Sequence, residues 1–508
     1  MSLSDHTAAI IPSKDSTFSS DSNDSTSTLN DAQLKLHADK IHQLENSLAS
    51  PLQFKGQSTV AHNLLDRMKS YNVPAVSMAL IDNGEIAWVK SWGVKDADTL
   101  APVTPNTLFQ AASISKPVSA LAALRMVESG ELSLDKPINN YLTRWQLPEN
   151  EFTQQVPVTL THLLSHTGGL TVHGFRGYAQ TDEQPTAIQV LNGEAIAKSD
   201  PVVVDTLPGS HFRYSGGGST VFQIAMEDVT HKSFTQLMDE LVLKPAGMDR
   251  STFAQPLPES FQTDVASGHL AEGNVVSGKW HNYPIQSPAS LWTTPTDLAN
   301  FALAIIKAFH AQEGQSAGGN ILSKSMCDLC LTEQKDAWGL GPRLFMDNGK
   351  TIGFHHGGAN EGYRCEFVAF LDGRGAAVMT NSDVGDALLG EIMAAAAEVY
   401  DWPARKAKVK EWLPLTAADK QQFVGVYTFK DEDTVYRINV ALNGEAMDIS
   451  STFSPVTDAF YITERKDNAV TFTGGSGMSV DFSLNEKGQP FIATMGVVFT
   501  QNAANEPS

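Results

Sequence analysis

Ser113-Ile114-Ser115-Lys116 is the stretch on which the reading of this chain turns. On a helix, its serine and lysine share one face, one turn apart. A serine hydroxyl is a weak nucleophile until a neighbouring base takes its proton. A lysine held in a dry cleft can be that base, because burial lowers its pKa. The flanks fit this reading: Phe109-Gln110-Ala111-Ala112 leads in, and the apolar run Val118-Ser119-Ala120-Leu121-Ala122-Ala123-Leu124 follows. Pro117 is tolerated in a first helical turn, and Gly130 is placed to end the helix. Ser113 is therefore expected at a helix N-terminus, where the dipole favours the anion that forms in acyl transfer. A four-residue motif recurs by chance, so its weight depends on its surroundings.

Four further segments supply them. They are His162-Leu163-Leu164-Ser165-His166-Thr167-Gly168-Gly169-Leu170, Phe212-Arg213-Tyr214-Ser215-Gly216-Gly217-Gly218, Leu291-Trp292-Thr293-Thr294-Pro295-Thr296-Asp297, and Phe354-His355-His356-Gly357-Gly358-Ala359-Asn360. In this order they resemble the serine hydrolases of the class C β-lactamase and D,D-peptidase superfamily. That superfamily includes penicillin-binding proteins, esterases and D-aminopeptidases. The resemblance spans residues 60–402. Its second catalytic element is Tyr-x-Asn, here Tyr214-Ser215-Gly216, and its third is Lys-Thr-Gly or His-x-Gly, here His356-Gly357-Gly358. The resemblance implies that Tyr214 shares the proton work with Lys116, its phenol made more acidic by the nearby ammonium. It implies that His356 positions a substrate carboxylate or hydrogen-bonds to Tyr214. The backbone N–H groups of Ser113 and Ala359 would form the oxyanion hole. Gly357 and Gly358 would let substrate approach the strand backbone.

One position departs from the pattern. Gly216 stands where the motif has asparagine, so a buried amide that discriminates amide substrates is missing. An ester is easier to cleave than an amide, which shifts the expectation toward an esterase or small-peptide hydrolase. The triple glycine also permits a backbone that could bring an N–H or a water to the vacated place.

Composition restricts the remaining classes. A formal net charge of −21 would be repelled by nucleic acid or an anionic membrane surface, so neither is an expected partner. No apolar run reaches the roughly 18 residues that a membrane helix needs. Met1-Ser2-Leu3-Ser4-Asp5-His6 lacks the basic start and apolar stretch of a signal peptide. The expected location is periplasmic if the chain is N-terminally trimmed and cytoplasmic otherwise. Three cysteines are too few for a disulfide framework. Cys327 and Cys330 read as two helical residues, and Cys365 as a buried strand residue.

The chain order predicts an α+β domain: an antiparallel sheet flanked by helices, with a helical region between early and late strands. Residues 1–31, rich in Ser, Asp, Asn and Thr, are expected to be disordered. Helical spacing marks 32–54 as a spacer. The hydrolase domain is expected over 55–403, with a hairpin at 75–82 and 85–92 turned by Asn83-Gly84. Its later strands are placed at 351–354 and 364–371, on either side of a His-x-Gly loop, and at 376–381. Thr294 is expected to cap a helix reaching residue 309. A linker over 404–414 leads to repeated short strands over 415–503, which argue a small all-β barrel or sandwich. Relatives with such a tail carry a lipocalin-like barrel, either narrowing the cleft or serving as a stabilising appendage.

Two decoys are discounted. Gly314-Gln315-Ser316-Ala317-Gly318 matches the nucleophile elbow of α/β-hydrolases but lacks the strand before it and the helix after it. His162 and His166 have zinc-pair spacing, yet position 163 is leucine where the metalloprotease motif has its glutamate. Neither a metal nor a cofactor is expected. The expectation is a serine hydrolase that forms an acyl-enzyme on Ser113, a carboxylesterase or small D-amino-acid peptide hydrolase. The alternatives are a β-lactamase or D,D-carboxypeptidase, and a catalytically silent penicillin- or peptide-binding protein on the same scaffold.

Overall fold

The computed structural model describes residues 31–312, 321–431, 434–452, 454–466, 469–494 and 497–501. Residues 1–30 and the Ser316 decoy lie outside them. The chain divides into two units: one contains Pro74–Gly385, and the other combines Ala38–Val73 with the chain from Asp386 onward. Residues 55–73 and 386–403, expected within the hydrolase domain, thus group with the barrel unit.

The first unit is organised by an antiparallel sheet of seven strands. In chain order they are β1 (Ala75–Asp82), β2 (Glu85–Asp96), β3 (Ala101–Pro102), β4 (Arg343–Asp347), β5 (Lys350–Asn360), β6 (Tyr363–Phe370) and β7 (Gly375–Thr380). Their spatial order is β3-β2-β1-β7-β6-β5-β4, so the first and last strands of the unit meet where Ala79 pairs with Ala377. Asn83 and Gly84 both take positive φ, 53° and 77°, as the two-residue hairpin turn between β1 and β2 requires. The His-x-Gly segment is strand, as the resemblance implies for this element, and not a loop between the strands placed at 351–354 and 364–371. β5 runs unbroken through it, with Gly358 paired to Cys365 and Ala359 to Arg364. The turn comes after Asn360.

Helices cover this sheet. α1 (Ser115–Glu128) follows a single 3₁₀ turn, Ala112–Ile114, and is buried along most of its length. It ends before Gly130, whose φ of +82° suits glycine. α2 (Gly216–Thr230) begins at the glycine run, capped by Ser215. α3 (Pro295–Phe309) is capped by Thr294, which accepts from the Asp297 N–H, with Pro295 in its first turn. α3 packs on β1, β2 and β7. The three cysteines are buried.

The second unit contains a closed eight-stranded barrel: Gly425–Asp431, Thr434–Asn443, Ala446–Ser451, Ser454–Lys466, Ala469–Gly474, Ser479–Leu484, Pro490–Thr494 and Val497–Gln501. Its interior is filled by side chains that alternate along the strands, with Tyr427, Ile462, Phe472, Phe482 and Ile492 fully buried. In the same unit Leu52–Phe54 pairs in parallel with Lys408–Lys410, so the expected spacer and linker each contribute a strand. Arg67 and the Tyr71 hydroxyl both bind the Glu391 carboxylate, the latter at 2.7 Å. Among the described residues no helix is long and apolar enough to cross a membrane.

Candidate active site

Ser113 sits in the 3₁₀ turn ahead of α1, and three hydrogen bonds fix that turn. The Ala111 N–H donates to the Leu291 carbonyl at 2.8 Å, the Leu291 N–H returns to Ser115 Oγ at 3.0 Å, and the Ile114 N–H donates to the Ala111 carbonyl at 3.0 Å. Ala112 is held at φ +47°, a region costly for a residue with a Cβ. One turn further, Lys116 Nζ donates to Ser113 Oγ at 3.0 Å and to the Pro288 carbonyl at 2.9 Å. Only 4% of Lys116 is exposed, and no carboxylate pairs with it among the described residues. Burial without a counter-charge pushes its pKa down from 10.5 to about 7. The amine is therefore poised to exchange a proton near neutrality.

Tyr214 reaches the same serine. Its hydroxyl hydrogen-bonds to Ser113, and its ring lies 4.9 Å from Lys116 Nζ. The expected acidification by an ammonium does not occur. Burial dominates and raises the phenol above its ordinary value, with the Ser113 bond opposing more weakly. The ring is fixed by aromatic neighbours: His166 at 4.4 Å, His173 at 4.8 Å, Trp338 at 5.7 Å and His356 at 6.0 Å between centroids. His166 also ties down the following residue, since the Ser215 N–H donates to its Nδ1 at 3.2 Å. Ser215 Oγ donates to the Thr171 carbonyl at 2.7 Å and accepts from the Gly218 N–H at 3.0 Å.

His356 enters from β5. Its Nδ1 lies 2.6 Å from the Gly357 carbonyl, which can only accept, so Nδ1 carries the hydrogen. Nε2 is left as a buried acceptor with no protein partner among the described residues. Burial, aided by Lys116 and Arg343, lowers its pKa to about 3. The ring is held in its neutral form, and among the described residues no hydrogen bond joins it to Tyr214. Gly358 has a steric reason of its own: a Cβ there would lie 2.2 Å from the Ala111 carbonyl oxygen and 2.6 Å from Cys365 Sγ. That contact presses β5 against the turn that carries Ser113. Ala359, the next residue, is exposed beside it.

The vacancy expected at Gly216 is filled. A Cβ on Gly216 would lie 3.1 Å from both the His173 carbonyl oxygen and the Phe175 ring, so Phe175 occupies the direction in which an asparagine would project. The glycine N–H groups do not stand in for the lost amide. Gly216 N–H donates to the His173 carbonyl at 3.0 Å and Gly217 N–H to the Val172 carbonyl at 3.1 Å.

Ser113, Lys116, Tyr214 and His356 are thus brought together, with Gly216, Gly358 and Ala359 around them. His162 caps its own helix through Thr159, whose N–H donates to its Nδ1 at 3.2 Å, and does not pair with His166. Sequence reasoning missed His166, His173 and Trp338 as the packing around Tyr214, and Phe175 as the wall at Gly216. His166 lay in a segment already singled out, but Trp338 carried no local signal.

Residues 60–399 match the Beta-lactamase family. Protein flp of Staphylococcus aureus (strain MW2) is 26% identical over 230 residues, 44% of this chain and 42% of that protein. Esterase EstB of Burkholderia gladioli is 30% identical over 195 residues, 37% of this chain and 48% of the esterase. The chain thus spans about half the length of the curated relatives it matches. The octameric penicillin-binding protein homologue from Pyrococcus abyssi shares the fold at a TM-score of 0.57 and 21% identity, over 86% of this chain and 98% of that one. D-alanine carboxypeptidase AmpC from Burkholderia cenocepacia does so at a TM-score of 0.51 and 20% identity, over 66% and 96%. Since the family match covers more than half of the 508 residues and takes in the whole Ser113–Lys116–Tyr214–His356 cluster, the chain belongs to the Beta-lactamase family.

Proposed function

We propose that this chain is a serine hydrolase that forms an acyl-enzyme on Ser113 and acts on esters. The observation that carries the reading is a buried amine, with its pKa near 7, bonded directly to Ser113 Oγ at 3.0 Å. In the proposed cycle neutral Lys116 takes the Ser113 proton as Oγ bonds to the ester carbonyl carbon. The oxyanion is held by the N–H groups of Ser113 and Ala359, a term worth about 3–4 kcal/mol per donor in comparable sites. The bond to the leaving oxygen then breaks. Tyr214, protonated at neutral pH because burial raises its pKa, gives that oxygen a proton and recovers one from Lys116. Water repeats the sequence in reverse and frees the acid. Neutral His356 offers Nε2 as an acceptor to a donor on the substrate or to a bound water.

An ester is favoured over an amide because Phe175 and two consumed glycine N–H groups stand where a side-chain amide would meet an amide substrate. The likeness to Esterase EstB agrees with this choice. Hydrolysis of p-nitrophenyl butyrate and nitrocefin, with Ser113→Ala as control, tests the reading. Ester turnover that vanishes in Ser113→Ala, with little nitrocefin cleavage, is expected. Efficient nitrocefin cleavage would make this a β-lactamase instead. Stable labelling by a fluorescent penicillin without turnover would make it a binding protein, and full activity in Ser113→Ala would remove Ser113 from the mechanism.

A further inference from the structure

Beside the cleft lies a pocket of about 460 Å³, within the size range of small-molecule sites. It shares two residues with the candidate site. Ala359 belongs to its wall and is the strand residue whose N–H faces the oxyanion in the proposed cycle. Phe175 belongs to it as well and is the ring that closes off Gly216. An acyl group attached to Ser113, with its carbonyl oxygen toward Ala359, therefore has this pocket as the adjoining space.

The pocket wall is strongly charged, and its charges do not cancel. His281 Nδ1 lies 3.0 Å from Glu361 Oε2. Arg364 pairs with Asp383 at 3.2 Å and also donates to the carbonyls of Asn360 and Tyr363, each at 2.8 Å. Asp383 also accepts the Gly362 N–H at 2.7 Å. Lys198 donates to the Gly177 carbonyl at 3.1 Å and to Asp182 at 2.9 Å. Both carboxylates of the wall are thereby engaged. Arg176 is different: its side chain is exposed at the pocket and has no hydrogen bond or ion pair among the described residues. Among the described residues the Arg176 guanidinium is thus the charged group of this wall without a protein partner, and its fork matches a carboxylate.

We propose that this pocket is the acyl-side subsite and that it selects acyl groups ending in a carboxylate, with Arg176 as the partner of that carboxylate. The substrates are then half-esters of short dicarboxylic acids rather than esters of simple fatty acids. The placement of the acyl group rests on the reading of Ser113 as nucleophile. The rival ligand is an acyl group with a terminal ammonium, for which Glu361 would be the anchor.

Three p-nitrophenyl esters of similar length separate these ideas: monoglutarate, butyrate and 4-aminobutyrate. The expected result is a kcat/KM for the glutarate about tenfold or more above the butyrate, with that ratio collapsing toward one in Arg176→Gln. A ratio unchanged by Arg176→Gln, or a preference for the aminobutyrate, overturns the proposal while leaving the Ser113 reading intact. Loss of all three activities in Ser113→Ala supports that reading separately. If no ester is turned over, calorimetric titration of free glutarate into the wild-type protein and into Arg176→Gln still decides the pocket. Binding that weakens about tenfold in the variant supports it, and equal or absent binding overturns it.

Discussion

From 425 to 501, every described non-glycine residue keeps a negative φ, and the barrel interior is a filled apolar core. Around Ser113, Ala112 stands at φ +47°, His166 at +55° and Val172 at +62°. Val172 is β-branched, the residue type least suited to that region. Among the described residues, the same cleft buries an amine without a counter-ion and leaves His356 Nε2 without a partner. Each such feature costs of order 1–3 kcal/mol and persists only where the surroundings over-determine it. The barrel obeys local rules throughout and the cleft breaks several at once. Several such features gathered around one reactive side chain mark where the structure has been arranged for chemistry rather than for stability.

The sharpest way to break this comparison is Lys116→Met. An apolar side chain of similar length removes the proposed base and the buried charge together. Ester turnover should fall by about 10²–10⁴-fold. Stability should rise, and the gain should depend on pH. Lys116 has a folded pKa of about 7 against an ordinary 10.5, so the unfolded chain binds the extra proton between those values. Wild-type stability therefore increases from pH 7 toward pH 10, and the advantage of the variant is largest below pH 7 and shrinks above it. Denaturant titrations at pH 6 and pH 9 measure this. An equal difference at both would mean that Lys116 is not strained by burial. In the wild type, kcat/KM should rise through pH 7 as the amine loses its proton.

The barrel should respond in the opposite sense. Phe482 is fully buried, with the rings of Phe423 and Phe472 each at 5.0 Å and Tyr427 at 5.7 Å. Phe482→Ala should cost about 3–5 kcal/mol through lost burial and the cavity left behind. Turnover per folded molecule should stay at the wild-type level. A changed kcat in folded protein would show that the barrel contributes to catalysis, and the contrast between the two regions would need redrawing.

The two regions also differed in how far the sequence exposed them. The barrel announces itself through alternation and turn residues such as Asn443-Gly444, because strand periodicity is a local property. Ser113 and Lys116 were legible for a similar reason: a one-turn spacing can be read without knowing the fold. The aromatic packing around Tyr214 was not legible. His166 and His173 come from one stretch and Trp338 from another, both distant in sequence from Tyr214, and they meet only in the folded unit. The acidity of Tyr214 was misjudged because an ammonium was assumed, whereas burial keeps Lys116 near its neutral form and raises the phenol instead. In the sequence, strand periodicity is followed only over 351–354 and 364–371, which leaves His356-Gly357-Gly358 between them as a loop. Gly358 is there because the Ala111 carbonyl leaves no room for a Cβ, a long-range contact that no sequence window contains.

Gly216→Asn tests the cleft at a smaller scale. Restoring the motif residue should not create a β-lactamase, because Phe175 and the His173 carbonyl already occupy the space at 3.1 Å. The expected outcome is overpacking at about 1–3 kcal/mol, with nitrocefin cleavage still low. Thermal melts together with a nitrocefin assay check both parts. Unchanged stability with newly efficient nitrocefin turnover would mean that Phe175 yields easily and that the wall is not a fixed part of the site.

The smallest expected effect sharpens the comparison from the barrel side. Thr416 caps the short helix Ala417–Gln422 in a reciprocal capping box with Asp419, and Asp419 is in turn held by Arg465 at 3.1 Å. Burial opposes this arrangement, yet the hydrogen bonds and the guanidinium prevail and hold the Asp419 carboxyl below its ordinary range. Thr416→Ala removes one hydroxyl from a network whose other members remain, so it should cost about 1 kcal/mol. Asp419 gains stability from being charged, so part of the wild-type advantage should disappear as the pH falls through its lowered pKa. Chemical denaturation of the variant at neutral and acid pH reads both. Thr416 lies in a region where local rules are satisfied, so its loss should leave ester turnover untouched. A turnover change from so small and local a loss would mean that the barrel unit is coupled to the chemistry after all.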